Sequence, residues 1–412
     1  KAASSSILNG GFTSCLHPSN KNKMNGNRIF LAIFDFISFK IKHPMRTIIL
    51  LLLLFIVGSC KNEPKKQKEV AIETPSLMAG NDTLIYPEEK YFKSIRQITF
   101  GGDNAEAYWS WDDTQMIFQS NNTSWDLNCD QMFLMNIDEN FKDAKPPMVS
   151  TGMGRTTCAY FLPDNKHFVY GSTHLVDKEC PEVPLRKNGN YVWPVYDSFD
   201  IFVADLEGNI TSQLTKEPGY DAEATVSPKG DKIVFTSTRS GDLELYTMNL
   251  DGTEVKQITN ELGYDGGAFF SPDGTKLIFR ASRPKTPEAI KKYKDLLAEG
   301  LVEPTDMELF ICNADGSDLK QLTFLGNANW SPFFHPSGKK ILFSSNFEAE
   351  KGFPFNLYFI DIDGKNLERV THGETFDAFP VFSNNGKYLA FSSNRNNGGT
   401  RDTNLFIAEW QE

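Results

Sequence analysis

Hydrophobic and polar residues alternate in short runs through residues 213–259, QLTKEPGYDAEATVSPKGDKIVFTSTRSGDLELYTMNLDGTEVKQIT, and nothing there has the spacing of a helix. Ala222–Val226, Lys232–Ser237, Leu243–Asn249 and Val255–Thr259 are rich in Ile, Val, Phe, Tyr and Thr, as pleated strands require. Between them lie Ser227-Pro228-Lys229-Gly230, Arg239-Ser240-Gly241-Asp242 and Asp251-Gly252. Gly and Asp accept the positive φ that tight reversals need, so the pattern predicts a four-stranded antiparallel meander.

The unit recurs. Its first turn reappears as Ser110-Trp111-Asp112-Asp113, Leu162-Pro163-Asp164-Asn165, Ser271-Pro272-Asp273-Gly274, His335-Pro336-Ser337-Gly338 and Ser383-Asn384-Asn385-Gly386. The spacings are 52, 65, 44, 64 and 48 residues, a basal period near 44 with insertions. Propeller blades of four strands repeat at about this length. The closing strand repeats as QIT at 97–99, QLT at 213–215, QIT at 257–259, QLT at 321–323 and RVT at 369–371, blurred to Met148-Val149-Ser150 in one copy. The last copy stops at its third strand, Leu405–Trp410, while Ser94–Phe100 is a spare closing strand ahead of the first copy. Joining the two ends leaves no open edge. The expected fold is all-β, a six-bladed β-propeller over residues 91–412 closed by an N-terminal strand, with a helical insertion in blade four.

The runs SPDGTKLIFRASR (271–283), SPKGDKIVFTSTR and LYTMNLDGTEVKQIT resemble the repeats of the TolB-type propeller family, a WD-like repeat, and the likeness covers all six copies. The resemblance implies a periplasmic-type binding scaffold and leaves its partner open; an envelope protein or peptide is the expected class. TolB itself places an α/β domain before its propeller, for which this sequence is expected to leave no room.

The N-terminal region reads as an address. Met45-Arg46, the apolar run Ile48–Val57 and Gly58-Ser59-Cys60 have the order of a basic start, a hydrophobic stretch and a small-residue cut. Cys60 at the cut makes it look like a bacterial lipoprotein signal over 45–60, with lipid on the Cys60 thiol and the protein on the periplasmic side of the envelope. The run is shorter than the roughly 20 residues a spanning helix needs. Residues 1–44 read as an upstream segment outside the working protein, and 61–90, beginning KNEPKKQKEV, as a flexible tether. Net charge is −11 overall, but residues 61–412 carry 35 basic and 52 acidic residues. So acidic a body disfavours nucleic acid and anionic lipid surfaces, leaving the lipid as the only membrane contact.

Blade geometry places the tight turns on one face and, on the other, the second-to-third-strand loops and blade crossings. Both long insertions, His174–Phe199 and Arg283–Met307, fall on the loop face, where function usually sits. In the second of these, Thr286 is an N-cap, Pro287 the first helical residue, and Ala289, Ile290, Tyr293, Leu296 and Leu297 one apolar stripe ending at Gly300. That helix either lids its own blade or meets a partner. The other insertion, rich in Pro and aromatics, reads as an ordered lid. Glu106, Asp221, Asp265 and Asp377 precede innermost strands near the channel mouth, and Arg239, Arg283 and Arg395 end second strands on the same face. Either each Asp caps a turn and pairs with a neighbouring blade's Arg, or the carboxylates form a ring able to hold a cation or a basic peptide.

Four further cysteines excluding Cys15 and Cys60 remain. Export makes a disulfide the default, with Cys158–Cys180 or Cys129–Cys180 as the pair and Cys312 a buried thiol. No cysteines have zinc spacing, and no H-E-x-x-H, G-x-S-x-G or phosphate-binding loop appears, so no catalytic residue, metal or cofactor is assigned. His174 and His372 both fall toward the loop face, where a metal site with Asp221 or Asp377 is conceivable. Oligogalacturonate lyases carry similar repeats and hold a metal with channel histidines, which makes a metal-dependent lyase one rival reading. Carbohydrate binding through Trp125, Tyr191 and Trp193 is another. The leading expectation is a non-enzymatic scaffold that binds protein or peptide through its loop face.

Overall fold

The structure, a computed structural model, describes residues 84–412 apart from 185, 351 and 375. Cys60, the expected signal over 45–60, the upstream segment and the tether as far as residue 83 lie outside the described residues.

Six antiparallel blades succeed one another along the chain. The third is the prototype, with strands Asp221–Val226, Lys232–Ser237, Glu244–Asn249 and Lys256–Gln257 in that spatial order. The second, fourth and fifth repeat it, beginning at Thr156, Asp265 and Asn329. The first blade has three full strands, Asp103–Trp109, Gln115–Asn121 and Gln131–Asn136, and its blurred edge makes a single bridge between Phe133 and Met148. Pro146 and Pro147 precede that bridge and have no N–H to offer a ladder, which is why the edge is short. In the sixth blade Phe92–Gln97 lies antiparallel to Asn404–Trp410, with Ile95 opposite Ala408 and Gln97 opposite Phe406. The N-terminal strand therefore closes the ring.

The repeated Thr of the closing strand has a definite task. Its Oγ1 accepts the N–H of the second residue of the third strand: Ile201 to Thr215 (2.9 Å), Leu245 to Thr259 (2.8 Å), Leu309 to Thr323 (2.8 Å) and Leu357 to Thr371 (2.9 Å). Ser150 does the same for Met132 in the blurred copy (3.0 Å). At the closure Thr99 accepts from Leu405 at 2.9 Å, so the junction of the two ends is bonded like any other blade. The tight turns are held in the same repetitive way. Ser271 Oγ accepts the N–H groups of Thr275 (3.1 Å) and Lys276 (2.9 Å), while Gly274 takes the required φ of +65°.

Aromatic side chains fill the spaces between and within blades. Phe118, Phe133, Phe161, Phe168, Phe202, Phe235, Phe279 and Phe343 are fully buried, and each such burial contributes about 2–3 kcal/mol. The ordered body also begins earlier than residue 91, where the tether was expected to end. Leu84 packs against the fifth and sixth blades, and the buried Glu89 carboxylate meets Arg395 at 3.1 Å. Composition alone hides this, because the anchoring partner is more than 300 residues away.

Candidate functional site

The aspartates at the channel mouth are each held by an arginine of their own blade. Each Asp is the first residue of an innermost strand, and the Arg follows the second strand by two residues, directly across the ladder. Arg239 Nη2 donates to both Asp221 oxygens (2.9 and 3.0 Å), Arg283 clamps Asp265 through both terminal nitrogens, and Arg395 Nη2 reaches Asp377 at 2.9 Å. The pairing across neighbouring blades expected from sequence is therefore replaced by pairing within a blade. All three aspartates are buried, and burial pushes Asp265 up to about 6 despite its arginine. Arg395 carries the Glu89 carboxylate as well, making a buried triad.

Glu106 is not the counterpart of these aspartates. That place in the first blade belongs to the exposed Asp103, with Arg401 3.8 Å away. Glu106 instead occupies a β-bulge three residues into its strand, and the bulge recurs in every blade. Six residues there have positive φ: Glu106, Cys158, Glu223, Gly267, Ser331 and Phe379, between 45° and 58°. Non-glycine residues adopt this region only when surrounding structure compels it, and such positions concentrate at functional sites. Innermost strands line a propeller's channel, so the bulges form a ring within it.

One side of that ring carries a buried polar cluster. Glu223 accepts from Arg280 (3.0 Å), Thr236 (3.0 Å), the Gly267 N–H (2.6 Å) and the Tyr264 hydroxyl. Burial alone would raise its pKa, but Arg280 and these donors outweigh burial and hold it below the usual range. Among the described residues no cation bonds Glu106, and the more distant Arg280 offsets its burial only in part. Glu106 Oε2 accepts from the Cys158 thiol at 2.7 Å, and burial, reinforced by Glu223, lifts it to about 7. Protein surrounds the Glu106 carboxyl, yet part of the residue stays accessible, as expected of a group lining a channel. The cluster thus holds one neutralised carboxylate and one that titrates near neutrality.

Of the two disulfides left open by the sequence, Cys129–Cys180 forms and the first choice, Cys158–Cys180, does not. The bulge places the Cys158 thiol against Glu106, whereas Cys129 lies in the loop before a third strand, within reach of the insertion that carries Cys180. Cys312 is a buried thiol, as expected.

The two insertions lock together over the loop face. Trp193–Pro194 pairs with Leu301–Val302, and Val195 N–H donates to Gly300 O at 2.7 Å. Helix α1, Pro287–Ala298, has Thr286 as N-cap accepting from the Ala289 N–H, and Gly300 at φ +70° follows its end. Its Tyr293 hydroxyl donates to Asp242 in the third blade, and Tyr293, Leu297, Val195 and Val302 join Tyr220, Tyr264 and Trp330 in one hydrophobic cluster. Of the apolar stripe of α1, Tyr293 and Leu297 enter this cap, while Ala289, Ile290 and Leu296 stay half-buried. Arg280 links cap to channel, its guanidinium 5.4 Å from the Trp193 ring and 4.7 Å from Tyr264. At the outer seam of the insertions opens a cleft of about 730 Å³.

The two histidines do not converge. His174 is buried, its ring 4.5 Å from Phe202 and Nδ1 3.0 Å from Ser172 Oγ, with its pKa lowered by burial. His372 lies beside Glu88 at 3.5 Å. Among the described residues no three His, Cys, Asp or Glu side chains are grouped to hold a metal. Trp125 is buried in the core, while Tyr191 remains exposed on the cap.

A family profile described as the TolB beta propeller domain matches residues 192–295. Comparison with curated proteins finds no match. Among solved structures the chain is similar to a putative TolB from Agrobacterium tumefaciens, at 18% identity and a TM-score of 0.47, covering 76% of this chain and 91% of the other. It is also similar to TolB from Acinetobacter baumannii, at 19% identity and TM-score 0.46, covering 76% of this chain and 64% of that one. An oligogalacturonate lyase in complex with manganese aligns at 13% identity and TM-score 0.44, covering 76% and 90%.

Proposed function

We propose that this TolB-type propeller is a lipid-anchored, non-enzymatic scaffold of the cell envelope that binds an exported protein or peptide through its capped loop face. The observation carrying the reading is the cap itself. Two insertions from different blades are joined by strand pairing, a shared core and a disulfide to the first blade, so the variable face is rigid before any partner arrives. A preformed surface loses little entropy on binding, which favours recognition of a macromolecule. The Cys158 thiol does lie against the Glu106 carboxyl, but burial and the two glutamates hold it far above the ordinary thiol range, so the pairing keeps the thiol protonated instead of activating it as a nucleophile.

The anchor is Cys60, and the exported, periplasmic location follows from it. Metabolic labelling with radioactive palmitate should mark the wild type and leave Cys60→Ser unlabelled; equal labelling would remove the anchor from the account. Binding is tested by crosslinked pull-down from envelopes. Deleting either insertion would strip Val195 or Val302 from the core, so the informative variant changes exposed cap residues, Val176→Asp with Tyr191→Ala. Partners captured by wild type should be lost from this variant, and unchanged recovery would displace the binding face.

A further inference from the structure

The cleft at the seam of the two insertions has a one-sided chemistry. Among the described residues its walls carry four carboxylates, Asp177, Glu182, Asp197 and Glu299, and no Lys, Arg or His. Among the described residues only Glu299 has an ion-pair partner, Lys187. Among the described residues, Lys178 Nζ donates to the His174 carbonyl at 2.8 Å, Arg186 Nη1 to the Gly189 carbonyl at 2.9 Å, and Arg155 is held by Asp130. Between the carboxylates the lining is apolar and stiff, with Val176, Pro181, Pro184 and Pro194, and Val176 is 70% exposed. One wall is fixed by the disulfide at Cys180 and the other by the strand pair at Pro194 and Leu301.

We propose that this cleft is the docking site for an extended basic segment of a partner protein, in which Lys or Arg alternates with aliphatic residues. The inference rests on the scaffold reading above and gives its partner a chemistry. Three carboxylates with no ion-pair partner among the described residues, gathered in one open cleft, attract cations and reject anionic surfaces. The prolines and valine offer apolar area to the intervening side chains. Rigid walls reduce the ordering cost of capturing a flexible segment.

The test uses the purified chain and two fluorescently labelled synthetic peptides, one alternating Lys and Leu and one alternating Glu and Leu, read by fluorescence polarisation. The Lys peptide should bind and the Glu peptide should not. The triple variant Asp177→Asn, Glu182→Gln, Asp197→Asn should weaken the Lys peptide at least tenfold with its melting temperature unchanged. Neutralising three acidic residues of the tight-turn face, Asp251→Asn, Asp315→Asn and Asp363→Asn, should leave binding as it was. A Lys–Ser peptide should bind more weakly than Lys–Leu. Equal losses from the two triple variants would mean unspecific attraction to an acidic protein, and undiminished binding to the cleft variant, or none to wild type, would equally overturn the proposal. The envelope pull-down separates the two levels. Wild-type partners that persist on the cleft variant sink the cleft but not the scaffold, whereas a wild type that captures nothing sinks the scaffold.

Discussion

Glu106 and Glu223 show how far identical residues at one repeat position can diverge. Glu223 is bonded to Arg280 and stays ionised, while Glu106 faces only a thiol and is lifted to about 7. A carboxyl with a raised folded pKa keeps a proton that the unfolded chain releases near its ordinary 4.5, so stability falls as pH rises from 4.5 to about 7 and the penalty persists above. Glu106→Gln removes that penalty. It should raise the melting temperature at about pH 8 by roughly 2–4 °C and leave it nearly unchanged at about pH 5. An equal shift at both values would contradict the assignment. Cys158 is the matching case, since burial and the adjacent Glu106 and Glu223 drive its thiol far above the usual range. Peptide-mapped alkylation should label Cys158 roughly a hundredfold more slowly in the native protein than in denaturant. The shared Ala-Glu-Ala of 105–107 and 222–224 was enough to equate the two glutamates from sequence, but aligning on the nearest acid set Glu106 beside Asp221 instead. The cysteine pairing was not legible, because a positive-φ bulge that turns Cys158 inward leaves no mark in residue type.

The elements are fastened by side chains that repeat with them. The closing-strand Thr, or Ser150 in the first blade, supplies an acceptor for a buried N–H in each blade, and at Thr99 the same bond joins the two ends of the ring. Thr99→Val leaves the Leu405 N–H without that acceptor and should cost about 1–3 kcal/mol in denaturant unfolding. Removing Arg395 strands two carboxylates, Glu89 and Asp377, in the interior, and Arg395→Leu should cost about 3–5 kcal/mol. A loss below about 1 kcal/mol in either case would show the contact to be incidental. Strands, turns and the capped helix were readable because each is specified locally, by alternation, by Gly and Asp, by Thr286 and Pro287. The pairing of Trp193–Pro194 with Leu301–Val302 was not, since two-residue ladders between distant insertions carry no periodicity.

At the scale of the molecule, closure and capping divide the work. The ring presents an almost uniform tight-turn face, broken by the proline-bearing edge of the first blade, and the loop face carries both insertions, the disulfide, the seam cleft and the approach to the channel. Spacing of the turns made the ring legible, whereas the cap needed the fold to bring residues of the second and fourth blades together. Recognition of partners at the capped face is what joins these parts. It is tested most directly by photo-crosslinking in intact envelopes, with benzoylphenylalanine in place of Val176 on the cap or of Asp363 on the tight-turn face. Adducts to an envelope protein from position 176 and none from 363 are the predicted result. Adducts from 363 alone, or equally from both, would contradict it.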